Sequence, residues 1–207
     1  MQSTVQLYNL ALARLGGDQF QPLTSPQEDD ALAKLCQTLF PHVLDMTLQA
    51  HSWGFALRTV ILPQVAIPQD GNGGVFSYRY QMPSDCVRPV RLQGGRNHSP
   101  AYQVHGSNAG AVLLTDEAPA TLIYVARETD PKRWPAMFAD ALAWGLASEL
   151  ATARINDPQR QQFYVQMYRG AVTDAAAQNM RENNPQPMQS GWNTARFGSD
   201  IDIGGIR

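Results

Sequence analysis

Charged side chains are scarce in this sequence. Asp, Glu, Lys and Arg make up 16% of its 207 residues, whereas an ordinary soluble domain carries roughly 25%. The formal net charge is -2, so there is no basic excess for strong binding to nucleic-acid phosphates. Polarity comes largely from 19 Gln and 9 Asn side chains. A polar but uncharged surface is typical of extensive protein–protein contact, where charged residues are depleted.

Cysteines and long apolar runs are also few. Cys36 and Cys86 are too few for a disulfide scaffold or a four-cysteine zinc site, and we expect both to be reduced core residues. No apolar run approaches the roughly 20 residues of a membrane span. Residues 1–4 start neither a basic segment nor an apolar one, so we expect no signal peptide and production in the cytosol.

Residue patterns for catalysis, cofactors and metals are missing as well. The stretch 71–74 (GNGG) lacks the lysine and the following helix of a phosphate-binding loop. The acidic residues 28–30 fall in the first turn of a predicted helix, where the helix dipole favours carboxylates. The four histidines have no metal-ligand spacing: His42, His51, His98 and His105. We therefore predict no metal, no cofactor and no catalytic residue, and we do not expect an enzyme.

Helical periodicity dominates both ends of the chain. Apolar residues recur at three- to four-residue steps over 3–15, about 25–50, about 133–154 and about 158–182. Ser25 is the predicted cap of the second helix, and Pro41 predicts a kink or break in that helix near 37–41. The last two helices are joined by a short Asn-Asp-Pro turn, which predicts a helical hairpin.

The predicted hairpin carries two recurring apolar patterns. On the third helix a small residue recurs every four positions, forming a flat stripe that lets another helix approach closely, either within a subunit or between subunits: Ala139, Ala143, Ala147 and Ala151. On the fourth helix, Phe163, Met167 and Ala171 lie on one face, next to a second face with Tyr164, Tyr168 and Ala175.

Between about 55 and 127 the apolar period changes to two, which indicates strands. Phe76, Tyr78, Tyr80 and Met82 alternate with polar residues and form a predicted core face. Further strands are predicted over 55–62, 86–92, 101–105, 111–115 and 121–127, with turn residues between them. This spacing predicts an antiparallel meander or small barrel. The roles of four arginines in this region stay open: Arg79, Arg88, Arg91 and Arg96.

These patterns together predict an α+β fold with three parts. Residues 1–53 and 130–182 form a bundle of about four helices, two from each end of the chain. Residues 54–129 form an inserted antiparallel β domain, and 183–207 form an extended C-terminal arm. The arm mixes Gly, Ser, Asn and Gln with large apolar residues, a pattern that suits a segment ordered by a partner: Met188, Trp192, Phe197, Ile201, Ile203 and Ile206.

Four local strings, in this order, resemble a known family. They are 7–16 (LYNLALARLG), 51–56 (HSWGFA), 78–86 (YRYQMPSDC) and 124–127 (YVAR), the last followed by Asp130-Pro131, Trp134-Pro135 and Phe138. Their order and spacing over about 3–180 are similar to those of tail tubular protein A and related head-to-tail adaptors, the connector proteins of tailed bacteriophages.

The resemblance implies a structural virion protein at the head–tail junction, assembled in the host cytoplasm. Such adaptors form a homo-oligomeric ring, usually of twelve copies, between the portal protein and the tail nozzle or next tail component. DNA passes through the lumen with non-specific contact at most, and no membrane is involved. The C-terminal segment of such adaptors is often the arm that binds the portal.

Two alternatives from other classes stay open. The first is a cell-wall hydrolase carried by the virion, which needs two carboxylates in one cleft. The second is a small single-strand nucleic-acid-binding module, in which Tyr78, Tyr80 and Tyr102 stack on bases beside the arginines of the β region. The alternating pattern places Tyr78 and Tyr80 on the predicted core face, which disfavours the second alternative.

Overall fold

The computed structural model describes residues 3–16, 22–25, 30–66, 76–94, 99–107 and 110–182. Within these ranges, helices and antiparallel strands combine as the predicted α+β class requires. The α-helices are α1 (Thr4–Leu15), α2 (Ala31–Ala50), α3 (Ala136–Arg154) and α4 (Pro158–Glu182). The strands are β1 (Leu57–Ile61), β2 (Gln64–Val65), β3 (Tyr78–Gln81), β4 (Cys86–Gln93), β5 (Tyr102–Ser107), β6 (Gly110–Thr115) and β7 (Thr121–Ala126).

Side-chain caps explain where the helices begin. At the start of α1, the Ser3 hydroxyl accepts from the Gln6 amide, and the Gln6 side chain accepts from the Ser3 amide, which is the reciprocal capping pair. At the start of α4, the Asp157 carboxylate accepts from the amides of Gln159 and Arg160. The predicted bounds of α1 and α4 are confirmed.

The start of α2 differs from the prediction. The capping residue is Asp30, not Ser25, because the Asp30 carboxylate accepts from the amides of Leu32 and Ala33 and its own backbone is still extended. Of the predicted kink or break near Pro41, the break is wrong, since α2 is one continuous helix from Ala31 to Ala50; the kink stays a prediction. Proline has no amide hydrogen to donate to the carbonyl four residues earlier, which belongs to Gln37. Both residues face solvent, so a water molecule can donate to that carbonyl.

Helix α3 lies at the centre of the helical layer. Helices α1, α2 and α4 all pack against it, and most of its side chains are buried. Gly145 is the point of closest approach, because a Cβ atom placed there would lie 2.8 Å from Val43 Cγ1 and 3.0 Å from the Tyr168 ring. Glycine is therefore required by the neighbouring side chains of α2 and α4.

The strands form two antiparallel sheets, with the orders β1-β7-β4 and β2-β3-β6-β5. The antiparallel prediction is confirmed, but the described strands form neither a simple meander nor one closed barrel. Strand β7 pairs with β1 on one side and β4 on the other, because both of its faces are apolar and can be buried. The short strand β2 was not predicted, since two residues carry no periodicity.

The three-stranded sheet lies between the helices and the four-stranded sheet. On β7, Val125 belongs to the core shared with the helices, whereas Leu122 and Tyr124 belong to the core between the two sheets. The latter core also contains Tyr80 and Met82, so the predicted core face of β3 is confirmed. The molecule thus has three layers and two hydrophobic cores that share β7.

Candidate interaction surfaces

The alanine stripe lies inside the subunit. Ala139, Ala143, Ala147 and Ala151 are all buried among α1, α2 and α4. The close approach that the stripe predicts therefore takes place between helices of one chain, as at Gly145. Because the single chain already covers these four residues, the stripe is not available for contact with another copy of the chain.

The residues of the predicted arm lie outside the described residues: Met188, Trp192, Phe197, Ile201, Ile203 and Ile206. The described chain stops at Glu182, the last residue of α4. The position of α4 therefore determines where the arm leaves the rest of the subunit.

An open groove runs between α3 and α4, and we call it the α3–α4 groove. It encloses about 610 Å³ and is lined by Ala136, Met137, Asp140, Trp144, Gln166, Met167, Gly170, Ala171 and Asp174. Its largest apolar side chains are partly exposed, with Met137 at 41% and Met167 at 36%. Phe163, one turn before Met167, is 52% exposed. Exposed apolar side chains in a groove are typical of a binding surface.

The groove corresponds to one of the two apolar faces predicted for the fourth helix. The face with Tyr164 and Ala175 packs against the helical core, as buried residues. The face with Phe163 and Met167 is the open one. The periodicity contained both faces but could not indicate which one the rest of the chain covers.

Helix α1 holds one wall of the groove in place. The Arg14 guanidinium lies 4.1 Å from the centre of the Trp144 ring, in a cation–π contact. The same guanidinium forms an ion pair with the Asp140 carboxylate and donates to the Asp140 carbonyl at 3.0 Å. Trp144 and Asp140 are thus positioned before any ligand arrives, which lowers the entropic cost of binding.

A second, smaller hollow of about 200 Å³ adjoins the groove. The two share Ala136 and Met137, and the hollow extends past Trp53 and Asn179 to Glu182. The smaller hollow thus lies beside the end of α4 and next to the α3–α4 groove.

Polar contacts attach the sheets to the helices. Arg127, after β7, makes two hydrogen bonds of 2.7 Å to the Asp45 carboxylate on α2. Glu128, nearly buried, accepts from Arg58 at 2.7 Å and from Arg133 at 3.0 Å. These ion pairs lie where the chain returns from the β region to the helices.

The aromatic residues of two distant strings meet at the same junction. Trp53 is buried, donates to the Thr47 carbonyl at 2.8 Å, and lies 4.9 Å from the Phe138 ring centre. Phe55 lies 4.7 Å from Phe138, and Trp134 lies 6.2 Å from it. Residues from 51–56 and from the stretch after β7 thus form one aromatic cluster.

The arginines of the β region do not form one open patch in the described part of the chain. Arg79 is on β3 and Arg88 is on β4, in different sheets. Their Nε atoms are buried and lack a hydrogen-bond partner among the described residues, while Arg88 donates to the Ser52 hydroxyl at 2.7 Å. Arg91 is exposed on β4, and Arg96 lies outside the described residues.

The tyrosines proposed for base stacking are not all available. Tyr80 is buried, and its hydroxyl donates to the Glu117 carbonyl at 2.9 Å. Burial also raises its pKa, because the phenolate would lose its hydration. Tyr78 packs against the same core from its edge. This arrangement leaves no open tyrosine platform on β3.

The surroundings of the two cysteines and of His51 shift their pKa values, while His98 lies outside the described residues. Burial raises the pKa of Cys36 to about 11, with a further rise from Asp30, and burial beside Asp85 raises the pKa of Cys86 to about 11. Both thiols are therefore protonated at neutral pH. Burial and the nearby Arg88 charge lower the pKa of His51. Within the described ranges, no three metal-ligating side chains lie together.

Two carboxylates, Asp140 and Asp174, do line the same groove. Asp140 is engaged by Arg14 in an ion pair, and Asp174 is an exposed residue of α4. No helix in the described part of the chain has the length and apolar character needed to cross a membrane.

No protein-family model matches the chain, and no curated protein matches it at a significant level.

Proposed function

We propose that the protein is a head-to-tail adaptor of a tailed bacteriophage, a structural subunit of the ring that joins the portal to the tail. One observation carries the proposal. The four strings that resemble the adaptor family occupy α1, the turn from α2 to β1, the turn from β3 to β4, and the return from β7 to α3. Two of them, the turn from α2 to β1 and the return from β7 to α3, connect the helical layer to the sheets, and the turn from β3 to β4 connects the two sheets.

The aromatic cluster supports this interpretation of the strings. Trp53 and Phe55 come from one string, and Trp134 and Phe138 come from the string about 80 residues later in the sequence. The two strings thus contact each other where the β region joins the helices, which supports the interpretation of the strings as parts of one pattern.

The low charge of the chain and the open α3–α4 groove support a protein whose surface is covered by neighbouring subunits. The low overall charge reduces the number of ions that would have to be desolvated in a heterologous ring contact. The α3–α4 groove adds an apolar surface that the described part of the chain leaves open. In this proposal residues 183–207 form the arm that contacts the portal, with Trp192 and Phe197 as aromatic anchors.

Electron microscopy of the purified chain mixed with the portal protein of the same virion tests the proposal. We expect a ring of subunits on one face of the portal, and we expect a chain shortened to 1–182 to fold but not to bind. The matched control is Ile61→Ala in the full chain, which changes an exposed apolar residue of β1 outside both the arm and the α3–α4 groove. Absence of a ring with the full chain would overturn the adaptor function, and normal binding by 1–182 would overturn the role of the arm.

The same protein preparation separates the two alternatives. Release of soluble fragments from peptidoglycan, lost in Asp140→Asn or Asp174→Asn, would favour a hydrolase. Retention of single-stranded DNA at low salt, with a steep decrease as salt rises, would favour the nucleic-acid-binding module. The adaptor proposal expects neither activity.

A further inference from the structure

The α3–α4 groove and the start of the arm are connected in the subunit. Helix α4 ends at Glu182, which lines the smaller hollow, and this hollow shares the lining residues Ala136 and Met137 with the groove. The chain continues for 25 residues beyond Glu182. The arm therefore starts beside the hollow that adjoins the groove, and the groove extends along α4 to Met167.

The composition of the arm matches the groove. Residues 183–195 carry no charged side chain and include Met188 and Trp192. The groove offers the exposed parts of Met137 and Met167, with Trp144 as a half-buried wall. Burying these apolar surfaces against each other is favourable by about 25 cal/mol per Å² of area removed from water.

The length of the arm also fits. Met167 lies 15 residues before Glu182, a distance of about 22 Å along the helix. An extended chain covers about 3.3 Å per residue and needs about seven residues for this distance. Pro185 and Pro187 cannot continue a helix and favour an extended chain. After about three residues to reverse direction, residue 192 reaches the level of Met167.

We propose that the α3–α4 groove is the docking site of this chain's own C-terminal segment, with Trp192 seated between Trp144 and Met167. The segment runs antiparallel to α4 and covers the apolar floor of the groove while the subunit is free. The proposal stands independently of the adaptor function, because it states only where the segment lies when no partner holds it. Any partner of the arm then competes with the groove for Trp192.

A pair of engineered disulfides in the full chain tests the proposal. Asp174 lines the groove, and the same length argument places residue 189 beside it. Asp174→Cys combined with Gln189→Cys forms the test variant. Thr173→Cys combined with Gln189→Cys is the matched control, because Thr173 is the exposed neighbouring residue, about 100° around the helix and outside the groove lining.

Disulfide formation is followed in a glutathione redox buffer, and products are separated by mass under denaturing conditions. At equilibrium we expect the intrachain disulfide to be favoured at least about tenfold more in the test variant than in the control variant. The reason is that a docked segment holds the two thiols at a higher effective concentration. Adding Trp192→Ala removes most of that difference. Variants that carry only Asp174→Cys or only Gln189→Cys show whether either new thiol forms a disulfide with Cys36 or Cys86.

Three results would each overturn the proposal or its placement of Trp192. Equal disulfide formation in the test and control variants means that the segment does not prefer the groove. Covalent dimers that increase with protein concentration in the test variant mean that the groove receives the segment of a second copy. A difference between test and control that survives Trp192→Ala would overturn the seating of Trp192 itself.

Discussion

Helices α3 and α4 form one hairpin, yet they differ in almost every physical respect. Eleven of the 19 residues of α3 are buried, whereas three of the 25 residues of α4 are buried. Each helix contains one glycine in its middle portion, Gly145 in α3 and Gly170 in α4. Gly145 meets side chains of two neighbouring helices, and Gly170 faces open space. Helix α3 thus closes the core of the subunit, while α4 presents an outward surface.

This difference changes how the alanine stripe is understood. A stripe of small residues on α3 is compatible with contact inside a subunit or between subunits. Since the described chain already buries all four alanines, the exposed large apolar side chains of the hairpin lie on α4 and in the α3–α4 groove. Four experiments test this difference in burial between α3 and α4, from the largest expected effect to the smallest.

Truncation of a large side chain in each helix should give the greatest contrast. Leu146 on α3 is fully buried, so Leu146→Ala should lower the free energy of unfolding by about 2–5 kcal/mol through lost burial and a residual cavity. Phe163 on α4 is larger but 52% exposed, and Phe163→Ala should cost less than about 1 kcal/mol. Urea denaturation of both variants measures the difference, and equal losses would contradict the assignment of α4 as the open helix.

The glycine of α3 should not tolerate a methyl group. In Gly145→Ala the new Cβ would approach Val43 Cγ1 to 2.8 Å and the Tyr168 ring to 3.0 Å. We expect a loss of about 1–3 kcal/mol from overpacking, despite the better helix propensity of alanine. Thermal unfolding followed by circular dichroism reports the loss, and a stabilised variant would show that the three helices are packed less closely than described.

The glycine of α4 should respond in the opposite direction. No atom lies within 4 Å of the Cβ position at Gly170, so Gly170→Ala should stabilise the subunit by about 0.5–1 kcal/mol through reduced freedom of the unfolded chain. The same thermal unfolding experiment applies. A lower melting temperature would mean that other atoms lie close to Gly170, which contradicts the open space at its Cβ position.

The inner face of α4 should produce a small pH dependence. Burial raises the pKa of Tyr168, Glu149 adds to the rise, and the hydrogen bond with Thr47 partly offsets it. Because the folded state favours the neutral phenol, its contribution to stability is complete below the unfolded pKa of about 10 and decreases as pH rises above it. Tyr168→Phe should therefore lose stability less steeply than wild type between pH 9 and 11.5, measured by urea midpoints. An unchanged slope would contradict the burial of this hydroxyl.

The sequence predicts the elements of this fold better than their environments. The periods of 3.6 and 2 are local properties, and they located α1, α4 and six of the strands of the β region. The start of α2 was missed because Ser25 and Asp30 are both competent caps, and the choice depends on where the backbone becomes helical. The pairing of β7 with β1 and β4 was not predictable from local spacing, because it joins residues at least 60 positions apart for β1 and at least 28 positions apart for β4.

The candidate surface illustrates the same limit. Phe163 and Tyr164 are adjacent aromatic residues on two apolar faces of one helix, and periodicity treats the faces alike. The packing of Tyr164 against the core and its hydrogen bonds to the carbonyls of Arg14 and Leu15 decide which face turns inward. Only the tertiary structure supplies that information, and it makes the face with Phe163 and Met167 the available one.

Methionine oxidation by hydrogen peroxide in the full chain tests most directly whether the groove between α3 and α4 receives the arm. Met180, 58% exposed, serves as the fast reference, and the buried Met82 serves as the slow one. We predict that Met167 oxidises at least about tenfold more slowly than Met180 despite its own exposure, and that Trp192→Ala brings it close to the rate of Met180. Oxidation of Met167 at the Met180 rate in the unaltered chain would contradict the account.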